Sequence, residues 1–159
     1  MLTVEHDIAL LARPGAVWRV LTNFEGYRNW HPYIRLDGEP VADSAIDYIF
    51  TSKLIGRRAV PMPARVTKLD PEHVLSWRMR FRPWLEQEET YLLKPHPLGT
   101  LLVHRLVYRG LLSSLCRGGL ERRGHQTLRA SDAALRAFMS GGPKGIRRHH
   151  QRRTEGRRG

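Results

Sequence analysis

The sequence predicts an α+β fold in which a curved antiparallel sheet of about seven strands wraps around one long C-terminal helix, with two short helices after the first strand. Three observations carry this expectation. Runs of alternating apolar and polar residues, bounded by turn residues, recur between Ala45 and Arg109. A proline-started helical stretch with a glycine break occupies Pro14 to Tyr33. Beyond Gly110 the apolar spacing changes to steps of three and four and holds as far as Phe138.

Thr3 to Leu11 sets Val4, Ile8 and Leu10 among Glu5, His6 and Asp7, the pattern of a first strand. Arg13-Pro14 ends it, and proline at a first helical position costs nothing because that N–H lacks a helical partner. Ala16, Val17, Val20 and Leu21 follow at helical spacing. Gly26 interrupts them, and His31-Pro32 closes a second short helix, since a residue before proline is pushed to extended geometry. Trp18, Phe24, Tyr27, Trp30 and Tyr33 read as staples holding this helical pair on a sheet.

Six further strands are expected at Tyr33–Leu36, Ala45–Ser52, Ala59–Leu69, Val74–Phe81, Leu85–Lys94 and Thr100–Arg109. Pro61 and Pro63 break the third of these early, and Val74–Phe81 alternates most cleanly, with Leu75, Trp77, Met79 and Phe81 against Ser76, Arg78 and Arg80. Ser113 reads as the N-cap of a helix over residues 113–139. Its stripe Leu120, Gly124, Leu128, Ser131, Leu135 and Phe138 should face inward. Gly118, Gly119 and Gly124 each weaken that helix by ~1 kcal/mol relative to alanine, which favours a kink or a late start. Gly141-Gly142-Pro143 ends it.

A chain of 159 residues, 41% hydrophobic and 26% charged, suits one globular domain with a core of its own. The expected division is a folded domain over residues 1–140 and a basic, disordered tail over residues 141–159. Lys144, Arg147, Arg148, Arg152, Arg153, Arg157 and Arg158 stand against Glu155 alone in that tail, so it carries half of the net +12. Such a tail is either a solvated extension or a weak contact for polyanions. Cys116 is the single cysteine, which rules out an intramolecular disulfide and points to a reducing compartment. Without a basic, apolar leader pattern or a membrane-length apolar run, a cytoplasmic protein is expected; the oligomeric state is left open.

The element order is that of the helix-grip fold. Pro14-x-x-Val17-Trp18-x-Val20-Leu21-Thr22-Asn23-Phe24-x-x-Tyr27-x-x-Trp30-x-Pro32-Tyr33 resembles the N-terminal signature of the START-like, birch-pollen-allergen-like superfamily (SRPBCC), in its polyketide cyclase/dehydrase branch. Leu75-Ser76-Trp77, Gly99-Thr100-x-Leu102-x-His104 and Ala133-Ala134-Leu135-Arg136 are similar to later segments of the same branch. The resemblance spans residue 2 to about 139. Asn23 departs from it where an acidic residue is common, Ser131 where Met is, Asp132 where Asn is, and Leu106 where Glu is.

A curved sheet gripping one helix leaves concave space that it does not fill, and such mostly apolar space is where small molecules bind. Trp77 and Met79 should face it, joined by Leu102, His104, Leu106 and Tyr108 if the last strand alternates in phase, and by Glu89 and Tyr91 on the strand between. Leu128, Ser131 and Leu135 would face them from the helix, and Trp30, His31 and Tyr33 would form a rim.

His104 is the candidate acid/base, because imidazole exchanges protons near neutral pH; the alternative is a satisfied or outward-facing strand histidine. Glu89 either orients it or pairs with Arg105 or Arg80 across the sheet. His125, His149 and His150 lack metal-ligand spacing, Gly118-Gly119 with Gly124 lacks the context of a phosphate loop, and Cys116 has no adjoining His/Asp arrangement. No metal or cofactor is therefore expected. Three functions remain open: binding of a small hydrophobic ligand (a lipid, polyketide or aromatic metabolite), a cyclase/dehydratase-like reaction using His104, which the family name implies, and polyanion contact through Arg147, Arg148, Arg152, Arg153, Arg157 and Arg158.

Overall fold

The computed structural model of the chain describes residues 1–51, 59–81 and 84–141. The tail from residue 142 onward, with the arginines expected to touch polyanions, lies outside the described residues. Seven antiparallel strands form one sheet: β1 (Leu2–Leu10), β2 (Ile34–Asp37), β3 (Ala45–Thr51), β4 (Ala59–Asp70), β5 (Val74–Phe81), β6 (Leu85–His96) and β7 (Gly99–Arg109). Their spatial order is β1-β7-β6-β5-β4-β3-β2. Strands β2 to β7 thus form a meander, and β1 returns to close its far edge beside β7. Helix α1 (Pro14–Thr22) and a 3-10 helix (Phe24–Asn29) carry the chain between the two edges, from β1 to β2.

Alternation dictates what the sheet buries. Leu75, Trp77 and Met79 of β5, Tyr91 and Leu93 of β6, and Leu102 of β7 pack with Val17, Leu21, Phe24 and Tyr27 of the helical pair into the main core. A smaller cluster joins Leu2 and Val4 of β1 to Leu106 and Tyr108 of β7 and to Leu128 of the C-terminal helix. The helix lies chiefly against β1. Their closest approach uses Gly124, where an added Cβ would come within 3.1 Å of the Val4 side chain.

The helix expected over 113–139 is two helices, α2 (Leu111–Leu115) and α3 (Arg117–Met139), divided at Cys116. Ser113 lies inside α2 and caps nothing; its hydroxyl donates to the Gly110 carbonyl at 2.7 Å. The turn is made three residues earlier, by Gly110 with φ at 101°, so the chain is already helical when it reaches the serine. Phe138 is 45% exposed, because the buried stripe of α3 runs through Gly124, Leu128, Ser131, Asp132 and Leu135 and ends before it. Pro61 and Pro63 do not break β4. They pair opposite Ile49 and Asp47 of β3 within one continuous strand.

The β6–β7 turn is tied to the end of β1. Gly99, at φ 133°, leaves no room for a side chain: a Cβ would meet the Leu10 carbonyl oxygen at 2.6 Å and the Ala12 nitrogen at 2.7 Å. The Thr100 hydroxyl donates to the Ala12 carbonyl at 2.6 Å across the same junction. Gly119, in the first turn of α3, has open space around it. Chemical denaturation should therefore separate the two positions. Gly99→Ala is expected to cost more than ~1 kcal/mol, because neither its backbone angle nor its neighbours admit a methyl group. Gly119→Ala is expected to gain up to ~1 kcal/mol through helix propensity.

Candidate functional site

The register of the central strands converges polar groups on one inner line. Tyr91 of β6 stands opposite His104 of β7, Glu89 opposite Leu106, and Trp77 of β5 opposite Glu89. On the other side of β7, His6 of β1 stands opposite His104. Asp132 comes down from α3. The residues expected to line the inner face, Trp77, Met79, Glu89, Tyr91, Leu102, His104, Leu106 and Tyr108, are all buried, as are Leu128, Ser131 and Leu135 of the helix. Leu106, Tyr108 and Leu128 belong to the smaller cluster and Trp77, Met79, Tyr91, Leu102 and Leu135 to the main core, with the polar line between them. Ser131 stands apart from that line, its hydroxyl turned back to the Thr127 carbonyl at 2.8 Å.

His104 is fully buried, Asp132 is 1% and Glu89 2% exposed. The His104 Nδ1 lies 2.8 Å from Asp132 Oδ1 and its Nε2 3.0 Å from Glu89 Oε1. The Tyr91 hydroxyl donates to Glu89 Oε1 at 3.2 Å, and the Trp77 indole donates to Glu89 Oε2 at 3.3 Å. The Tyr91 ring also stacks on the imidazole, with centroids 4.0 Å apart and planes at 23°. At the outer end, His6 Nδ1 lies 2.7 Å from Asp132 Oδ2, and the His6 side chain is 27% exposed. A continuous chain, His6–Asp132–His104–Glu89, thus runs from the surface into the interior.

Burial drives His104 toward its neutral form. The hydrogen bonds to Asp132 and Glu89, with the charges of both carboxylates, outweigh that and raise its pKa from 6.5 to about 9. The residue is an imidazolium at neutral pH, and each of its N–H groups donates to a carboxylate. Neither nitrogen is free to take a proton from a bound molecule, so its geometry is that of a cation fixing two carboxylates rather than of a general base. Glu89, whose charge acts on its neighbours, is held by three donors and faces the aromatic interior. That charge is felt widely: burial first, then Glu89, raises the hydroxyls of Tyr27, Tyr48 and Tyr91 well above 10, and that of Tyr108 to about 12.

Glu89 pairs with neither Arg105 nor Arg80, because those arginines have the opposite parity. Arg105 bonds Glu5, and Arg80 bonds Glu86 at 3.1 Å, both pairs on the outer face. Two members of the line, Asp132 and His6, went unassigned in the sequence although it holds signals for both. Asp132 lies four residues after Leu128 and three before Leu135, within the buried stripe, and His6 shares the parity of Val4 and Ile8.

The expected rim is also placed differently. Trp30 and His31 are each only 8% exposed and pack against Tyr27, while Tyr33 is half-buried. His31 Nδ1 accepts the backbone N–H groups of Tyr33 and Ile34 at 3.2 and 3.1 Å, which folds the ring inward. Burial pushes its pKa down to about 3, so it is neutral. An open surface groove beside the start of α1, lined in part by Arg13, Trp18, Arg19 and Glu72, includes none of the expected ligand-contacting residues.

Two outcomes follow for the buried cluster. His104 binds its proton more tightly in the folded protein than in the unfolded chain. The stability it contributes is therefore fully present below pH 6.5 and is lost as the pH rises through about 9. Denaturation at pH 6 and pH 10 should differ by about 3 kcal/mol in favour of pH 6 from this group. Asp132→Asn is expected to cost about 3 kcal/mol at pH 7, since it strips one counter-charge from a buried cation.

Comparison with known proteins agrees with this architecture. The model of the family described as polyketide cyclase / dehydrase and lipid transport matches residues 1–141. Protein CV1439 from Chromobacterium violaceum is 17% identical, with 86% of this chain and 96% of that one covered and a TM-score of 0.69. Protein NE0264 from Nitrosomonas europaea is 15% identical, with coverage of 87% and 94% and a TM-score of 0.71. Protein TTHA0849 from Thermus thermophilus is 16% identical, with coverage of 88% and 98% and a TM-score of 0.68. At such identities these likenesses establish the fold alone. No curated protein matches the chain in sequence. Among the described residues no helix is long and apolar enough to cross a membrane. The match over residues 1–141 shows that the chain belongs to the polyketide cyclase/dehydrase and lipid transport family, with a helix-grip fold.

Proposed function

We propose that the protein binds a small hydrophobic molecule, a lipid, polyketide or aromatic metabolite, in its interior between the sheet and α3. The observation that carries this reading is the Glu89–His104–Asp132 cluster set in an aromatic wall. Buried ions cost desolvation that well-packed apolar residues would avoid, so a core built for stability alone gains little from three of them. Strongly perturbed groups on a concave face are characteristic of sites that handle a ligand. Trp77, Tyr91 and Met79 supply apolar contact, Leu102 and Leu135 extend it, and Glu89 offers the polar anchor.

A second reading, favoured by the His6–Asp132–His104–Glu89 chain, is proton transfer on the ligand in a cyclase- or dehydratase-like step. In it Glu89 exchanges the proton with the ligand. His104 is a positioning residue that holds the Glu89 carboxylate in place, and partly exposed His6 connects the line to solvent.

Native mass spectrometry of the purified full chain should retain one small apolar molecule per chain, and adding an apolar fluorescent probe should displace it saturably. Absence of saturable binding for lipids, polyketides and aromatic probes alike would remove the binding reading. Once a substrate is identified, Glu89→Gln should lower turnover by about a hundredfold or more, whereas His6→Gln should lower it by less than about tenfold. Equal turnover in Glu89→Gln and the parent would remove the proton-transfer reading and leave the binding one standing.

A further inference from the structure

Two buried hydrogen-bond donors in the helical pair's exit have no acceptor among the described residues: Trp30 Nε1 and His31 Nε2. Arg78 Nε is the third such atom, but it lies 3.4 Å from Glu86 Oε1, and the same guanidinium bonds Glu88 through Nη2. The other two have no charge partner of that kind. His31 Nδ1 accepts two backbone N–H groups, so the single proton of the neutral ring sits on Nε2 and that atom is a donor. The indole Nε1 of Trp30 is a donor in every state. An unmet buried donor carries the full desolvation penalty, and native proteins leave few of them. Two on consecutive residues, with ring centroids 5.0 Å apart, form a local concentration.

The rings are held in place. Tyr27 stacks on His31 with centroids 5.8 Å apart and planes at 17°, lies 4.7 Å from Trp30, and meets the Trp77 ring edge-on at 6.2 Å. Tyr27 thus links the His31 ring to Trp77, whose indole donates to Glu89 of the buried cluster.

We infer that Trp30 and His31 form a donor pair for a carbonyl oxygen of the hydrophobic ligand. This inference rests on the ligand-binding reading above and narrows it to neutral apolar molecules bearing a ketone, enone, quinone or ester. Both donors are uncharged and fixed, so they complement a lone-pair acceptor without a counter-ion. A carboxylate ligand would face the charge of Glu89, and His104, the buried cation among the described residues, is already shared between two carboxylates. An apolar body fits the aromatic surroundings of Tyr27 and Trp77.

The test uses two pairs of probes of nearly equal shape, fluorenone with fluorene and benzophenone with diphenylmethane, titrated into the ¹⁵N-labelled full chain. The chain has four tryptophans, so four indole N–H signals report directly. The ketones are expected to bind saturably and about tenfold more tightly than the hydrocarbons, the worth of a hydrogen bond made in a buried site. The Trp30 indole proton should move downfield with the ketones alone. In Trp30→Phe, the ratio of ketone to hydrocarbon affinity should fall severalfold toward the one donor left on His31. Should that variant not fold, the comparison in the unaltered chain decides by itself. Equal affinity of ketone and hydrocarbon, or an unmoved Trp30 signal at ketone saturation, as fixed water on both donors would give, overturns the donor pair and leaves the ligand-binding reading intact. Binding of none of the four probes overturns the donor pair; the ligand-binding reading falls with it only if lipids and polyketides also fail to bind saturably.

Discussion

The interior of this protein is organised by one interaction, the buried His104 side chain held between Glu89 and Asp132. A cation without access to water needs both counter-charges within hydrogen-bond reach, and they come from elements far apart in the chain. Glu89 arrives only if β6 pairs with β7 in a register that sets Tyr91 opposite His104. Asp132 arrives only if α3 is docked over β1 and β7 in one rotation, with Leu128 and Leu135 buried on either side of it. Gly124 permits the close approach to β1 that this docking requires. Displacing the helix would strand a charge in the core, which is far more costly than losing apolar contact.

The same line of polar groups divides the core. Toward the start of α3, Leu2, Val4, Leu106, Tyr108 and Leu128 form a small apolar cluster. Toward its end, the sheet and the helical pair surround an aromatic group in which Trp77 meets Phe24 and Tyr27 edge-on and lies 5.5 Å from Tyr91. Edge-on ring contacts of this kind fix orientation as well as add contact energy. Glu89 therefore sits at a boundary, its carboxylate fixed by His104 behind it and by Trp77 and Tyr91 within the aromatic half. A molecule entering that half would meet rigid rings and one carboxylate whose hydrogen bonds are already directed.

Period-two alternation made the strands legible in the sequence, and with them the inward parity of Trp77, Met79 and His104. The proline, glycine and aromatic spacing of Pro14 to Tyr33 made the helical pair legible. Strand register was not legible, because it depends on which residues of two separate segments face each other. That is why Glu89 remained divided between His104 and the outer arginines. Asp132 was hidden by its chemistry: an acidic residue within an apolar stripe reads as a departure until its buried partner is known. The expectation of a rim at Trp30 and His31 rests on their place at the exit of the helical pair that closes one end of the gripped space. The backbone donors of Tyr33 and Ile34 turn His31 inward, and that contact depends on the exit turn's geometry rather than on residue type.

The protonation of His104 is open to direct observation. A long-range ¹H–¹⁵N correlation spectrum of the imidazole side chains at pH 7 reads the state of both ring nitrogens. The buried ion cluster predicts that Nδ1 and Nε2 of His104 both show protonated, imidazolium shifts, persisting until the pH approaches about 9. A neutral ring at pH 7, with one nitrogen unprotonated, would contradict the cation shared between Glu89 and Asp132 and would restore His104 as a group able to accept a proton.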